Sequence, residues 1–334
     1  MARGRGKYVF LLILLHLLGL AGLVLSTRDH IAFLGLGLLA YSFGLRHAFD
    51  VDHIAAIDST VRKLMQERTE SSGVGFYFAL GHSTVVFLMA LTTGFLGNWV
   101  HHSIPRFSLV GDIIGSLVSG LFLLLIGTMN LPALFNLARI FHRVRKQNGV
   151  QVNTESIDDV LMKRGFFFRF IGKRLNFISE SWHIYPVGFL FGLGFDTATE
   201  VSLLAMSGAI ASTSGATTVE IITLPILFTA GMAMMDTLDG FFMTSSYQWS
   251  LNGSSAKLYY NLFLTVITVG TALGIGLLEL GHVISEEVKL QGPLGNWLDR
   301  ISFGQLGFIM TGLFIVGAII VYLVARRKTR TILS

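Results

Sequence analysis

Eight consecutive residues, Arg46-His47-Ala48-Phe49-Asp50-Val51-Asp52-His53, place two imidazoles, two carboxylates and a guanidinium inside a segment otherwise greasy enough for lipid. An ionisable group at membrane depth costs about 2.5–3.5 kcal/mol on insertion scales, so such groups mark transport or catalytic sites. The donor types narrow the chemistry. Imidazole nitrogen with carboxylate oxygen and no sulfur suits a borderline divalent transition metal. Guanidinium does not bind cations, so Arg46 reads as a charge-balancing partner.

Three further clusters extend the set. His82 lies in the run Gly81-His82-Ser83-Thr84. Asp196 and Glu200 stand four residues apart and Asp236 and Asp239 three apart, so each pair shares a helix face. His47, Asp50 and His53 also share one face of an unbroken helix, from which Asp52 points away. If His47, Asp52 and His53 act together, the helix must be locally distorted, and Gly44 makes a break tolerable. The spacing leaves open whether Asp50 or Asp52 ligates directly. The candidate metal ligands are therefore His47, Asp50, Asp52, His53 and His82. Arg46, Asp196, Glu200, Asp236 and Asp239 are candidates for orienting the ligands or for the ion path.

The rest of the chain must hold these groups in a bilayer. Of 334 residues, 52% are hydrophobic and 13% charged, about half the charge of a soluble domain. With no cysteine, disulfides, thiolate metal sites and cysteine nucleophiles are excluded. The net charge of +5 sits in short inter-segment stretches, which argues against a nucleic-acid face. The 37 glycines suit helices packed closely in a membrane. About eight stretches approach the ~20 residues a crossing needs: 8–26, 31–58, 74–96, 111–135, 183–207, 219–246, 257–280 and 303–325. The fold class expected is an all-α polytopic membrane protein.

Basic residues orient it. Arg3, Arg5, Lys7, Arg62, Lys63, Arg68, the cluster from Arg139 to Arg174, Lys257 and the tail from Arg326 to Arg330 fall on one side. Only Arg28, Arg106, Lys289 and Arg300 fall on the other, which puts both termini in the cytoplasm. All four polar clusters then reach one central layer, where secondary transporters hold cargo.

Residues 1–138 read as a first transmembrane half, 139–181 as a cytoplasmic linker and 182–334 as a second half. Within the linker, Phe166-Phe167-Phe168 with Arg169, Lys173 and Arg174 suits an amphipathic surface helix. An echo links the halves. Phe43-Gly44-Leu45 answers to Phe191-Gly192-Leu193, and Phe78 to Gly81 answers to Phe228 to Gly231. Four spans per half predict a parallel 4+4 repeat. Gly188 with Gly192 and Gly270 with Gly274 fit small-xxx-small packing.

These motifs resemble the signatures of the NiCoT family of nickel/cobalt permeases. The matching runs are Arg46 to Ile54, Leu80 to Val86, Leu193 to Glu200, and Gly231 to Gly240, in that order along spans two to six. One departure is Val51, where the family commonly has alanine. The resemblance implies an inner-membrane importer of Ni²⁺ and/or Co²⁺ by secondary transport, with no permanently bound cofactor and no required protein partner. It also implies a recognition core of His47, Asp50, Asp52 and His53, and a position at Phe49 that tunes nickel against cobalt. An exporter of the same metals is the rival; such exporters tend to carry a histidine-rich loop, and the 139–181 linker holds only His142. An intramembrane metalloenzyme is a second rival, with no His-Glu-x-x-His run in its favour. No Gly-x-x-x-x-Gly-Lys-Ser/Thr loop occurs, so the chain itself does not hydrolyse ATP.

Overall fold

The computed structural model describes residues 2–95, 97–146, 178–194, 203, 205–207, 209–210, 217–251, 255–290, 292–298, 300–301, 305–314 and 316. The helices are α1 (Ala2–Asp29), α2 (Phe33–His47), α3 (Val51–Gln66), α4 (Val74–Phe95) and α5 (Gly97–Lys146). After a 3-10 turn at Ser181–Ile184 follow α6 (Tyr185–Phe191), α7 (Thr218–Leu251), α8 (Ser255–Val288), α9 (Pro293–Leu298) and α10 (Gln305–Phe314). No strand occurs among the described residues. The protein is an all-α, multi-pass membrane protein.

Among the described residues, five helices hold segments long and apolar enough to cross a bilayer: Gly4–Arg28, Val74–Thr93, Ile113–His142, Thr218–Gln248 and Asn261–Val288. The expected second span is instead two helices in series. With 15 and 16 residues, α2 and α3 each measure about 22–24 Å, short of a ~30 Å hydrocarbon core. Both lie along α7, which carries the pair through the molecule as one path.

Residues 139–146 continue α5 as helix, and Ile178 is fully buried, its carbonyl accepting a hydrogen bond from Lys63 Nζ. The run from Phe166 to Arg174 lies outside the described residues.

The echo is real in space, but its sense differs from expectation. At Gly44 the backbone of α2 crosses α7 so closely that a Cβ would meet the Phe228 carbonyl; at Gly192 the chain crosses α4 against the His82 carbonyl. Each half thus packs its Phe-Gly-Leu step on the second echo helix of the other half. The α2–α3 pair runs parallel to α7: Gly44 meets Phe228, His53 meets Asp236 and Asp58 meets Tyr247. Likewise α6 follows α4, from the Ser181 bond to the Glu70 carbonyl up to Gly192 beside His82. Yet α4 and α7 are antiparallel, since Ser71 bonds Thr244 while Gly75 meets Asp236. The echoed elements therefore point opposite ways. The repeat is inverted, not parallel, since α2 opposes α6 in direction as α4 opposes α7.

Glycine use follows the same crossings. Gly188 lies against the Phe78 carbonyl, as expected for small-residue packing. Gly270 and Gly274 have open space instead, and it is Gly276 that meets Gly120 where α8 packs on α5.

Burial marks α3 as the interior helix. Asp58, Ser59, Thr60, Arg62 and Lys63 are all buried on it. In contrast α1 turns Phe10, Leu17, Leu18 and Leu25 outward, an apolar face suited to lipid.

Candidate metal site

The break between α2 and α3 builds the site. At the end of α2, Phe49 N–H bonds the Arg46 carbonyl and Asp50 N–H the His47 carbonyl, a tightening to three-residue hydrogen bonds. Asp50 then turns extended, with φ −66° and ψ 140°, and α3 restarts at Val51. An aspartate at this position ordinarily caps the new helix with its side chain. Asp50 makes no such cap. Its Oδ2 sits 3.0 Å from His47 Nδ1 and its Oδ1 3.7 Å from Arg46.

Three imidazoles converge where the broken helix meets α4. His47, His53 and His82 are each at most 3% exposed, and their ring centroids stand 4.7 Å apart in all three pairings. One nitrogen from each lies within 4.8 Å of the others, a group fit to hold a metal ion. His47 Nε2 and His82 Nε2 are 2.9 Å apart. Two nitrogens each about 2.1 Å from one ion, at right angles, would lie about 3 Å apart.

Carboxylates fix the ring faces from behind. His53 donates Nδ1–H to Asp236 Oδ2 at 3.3 Å, so its Nε2 carries the lone pair. That Nε2 is buried with no hydrogen-bond partner. Asp50 Oδ2 stands behind Nδ1 of His47 at ion-pair distance, without hydrogen-bond geometry. His53, held at one nitrogen by a carboxylate and open at the other, shows the usual metal-ligand arrangement. Asp52 occupies the first turn of α3, half-buried, where a negative charge complements the helix N-terminus. Asp196 and Glu200 lie outside the described residues.

Aromatic rings wall the cluster. Phe78 meets His53 edge-on at 4.8 Å and 88°, and Phe228 leans on His47 at 5.7 Å. Sequence reasoning placed neither residue at the site, although both open the echoed runs. Phe49 faces the other way, stacked on Phe308 of α10 at 5.2 Å and 20°.

Further along α7, Asp239 is half-buried one turn beyond Asp236, with its Oδ2 buried and without a hydrogen-bond partner. On α3, Asp58 accepts a hydrogen bond from Tyr247 at 2.8 Å, and Tyr247 also bonds Thr268 at 2.6 Å. The Arg62 guanidinium lies 5.2 Å over the Tyr247 ring. Tyr247 and Thr268 belong to distant helices and carried no local signal.

Known proteins share this chain's pattern over nearly its whole length. It is similar to the nickel transporter NixA of Staphylococcus aureus, 46% identical over 309 residues covering 92% of this chain and 90% of that one. The high-affinity nickel-transport protein NixA of Helicobacter pylori strain J99 is 44% identical over 312 residues, covering 92% and 93%. The cobalt transport protein NhlF of Rhodococcus rhodochrous is 35% identical over 316 residues, covering 91% and 87%. No solved structure matches. The model of the NicO family, described as high-affinity nickel-transport protein, matches residues 33–324; the chain belongs to that family.

Proposed function

We propose that this protein imports Ni²⁺ and/or Co²⁺ across the inner (plasma) membrane by secondary transport, with both termini in the cytoplasm. The observation that carries the reading is the closed triangle of His47, His53 and His82 inside the bundle, with carboxylates behind two of its members. Three neutral nitrogens replace part of the ion's hydration shell. The absence of thiolate keeps the hold weak enough for release.

Roles divide by position. His47, His53 and His82 ligate. Asp50 and Asp236 orient two of them and balance the incoming charge. Asp52 completes the coordination or the charge balance at the start of α3. Asp239 continues the path inward along α7, and Asp196 with Glu200 belong to the same path. Arg46 restrains Asp50 when no cation is present. Inward movement of a divalent cation gains about 4.6 kcal/mol per 100 mV of inside-negative potential. The relatives are named as transporters of nickel or cobalt, which favours transport over intramembrane catalysis.

The test is uptake of labelled nickel and cobalt into cells expressing the wild type or His47→Ala. The expected result is uptake by the wild type and near-complete loss in the variant at equal protein level. Unchanged uptake in the variant, or net efflux by the wild type, overturns the reading.

A further inference from the structure

The broken segment that carries Phe49 and Asp50 is not held by its own helices alone. At Gly307 of α10, a Cβ would collide with the Phe49 carbonyl and approach the Val51 N–H within 3.1 Å, so the two backbones touch there. The neighbouring Phe308 stacks on Phe49. Leu306 and Met310, on either side, pack against the core that includes Val51 and Ile54. α10 thus grips the chain at the point where α2 ends and α3 begins.

On the other side the segment is tied back to α2 by the Phe49 and Asp50 N–H bonds and on to α3 by the Ile54 N–H bond to the Asp50 carbonyl. Asp50 has left the helical conformation and its side chain makes no cap bond to α3. Its carboxylate is nonetheless 3.0 Å from His47 Nδ1. The peptide of Phe49 sets where Asp50 lies, and Gly307 with Phe308 set where Phe49 lies.

We propose that Gly307 and Phe308 are positioning residues of the metal site, holding the Phe49–Asp50 segment so that His47 keeps its carboxylate partner, and that through this hold they set the discrimination between nickel and cobalt. The inference rests on the transport reading above and extends it to a helix that supplies none of the three imidazoles. Divalent first-row ions differ little in size, so a site separates them by how firmly it imposes geometry. A segment released from α10 lets the His47 ring relax toward either ion.

The experiment measures KM, maximal rate and the nickel-to-cobalt uptake ratio for wild type, Phe308→Ala, Phe308→Tyr and Gly307→Ala, each normalised to protein in the membrane. Loss of support behind a metal-bound imidazole costs about 10–100-fold in affinity or activity. The expected result for Phe308→Ala and Gly307→Ala is a KM raised about tenfold with a changed metal ratio. Phe308→Tyr keeps the stacked ring and restores both. If Phe308→Ala does not accumulate, Phe308→Leu is read by the same criteria. Variants that lose only maximal rate, in proportion to protein, with KM and metal ratio at wild-type values, overturn the inference. Wild type that takes up neither metal overturns the transport reading, and this inference with it.

Discussion

Phe78 and Phe228, 150 positions apart in the chain, hold matching places on two sides of one histidine cluster, the first against His53 and the second against His47. Both are fully buried. They open the two echoed runs, so the inverted repeat supplies the site with one aromatic wall from each half.

Truncating either wall leaves a ring-sized cavity beside a buried polar group. Phe78→Ala or Phe228→Ala should destabilise the protein by about 3–5 kcal/mol. Thermal melting of purified protein in detergent measures this, and a melting temperature within error of wild type for both variants contradicts the packing described here.

The carboxylate behind His53 offers a graded test. Asp236→Asn keeps an oxygen acceptor for Nδ1–H but removes the charge that strengthens the imidazole as a ligand. Nickel affinity should fall about 10–100-fold, whereas His53→Ala should abolish binding. Isothermal titration of the purified protein separates the two; equal affinities for Asp236→Asn and wild type would remove Asp236 from the site.

Close helix crossings predict an asymmetry among glycines. Gly44→Ala and Gly192→Ala force a Cβ onto the carbonyls of Phe228 and His82, both backbone atoms that cannot swing away. Gly270→Ala meets open space and gains helix propensity of about 0.8–1.0 kcal/mol. The expected outcome is loss of folded protein for the first two and none for the third, read by size-exclusion profile after solubilisation.

Protons compete with the cargo. A ligating imidazole must be deprotonated, so metal binding releases protons and weakens as pH falls. At nickel concentrations below KM, binding to purified protein should decline steadily from neutral to acid pH, and excess nickel should restore it. A pH-independent affinity would mean that the nitrogens are not the donors.

What could be read from the residues follows from the physics of the bilayer. Charge among apolar neighbours has few explanations in lipid, so His47, His53, His82 and Asp236 stood out without any coordinates. The need for about 20 apolar residues per crossing likewise exposed the all-α class. Residues whose role is purely steric had no such signal. Phe78, Phe228, Gly307 and Phe308 are ordinary membrane-helix residues until a partner from elsewhere in the chain faces them. The sense of the repeat was lost for a related reason: hydropathy counts spans, but only the antiparallel course of α4 and α7 shows which spans correspond.

The amino-acid order alone determined which groups can bind a cation, because donor chemistry belongs to side chains and the cost of burying them is local. Tertiary structure decided that α2 stops at His47 and α3 begins at Val51, that Asp50 lies beside a histidine rather than capping a helix, and that α10 packs against the joint. Those outcomes depend on contacts between segments as far apart as Phe49 and Phe308, 259 positions along the chain, and such contacts leave no periodic trace in the chain.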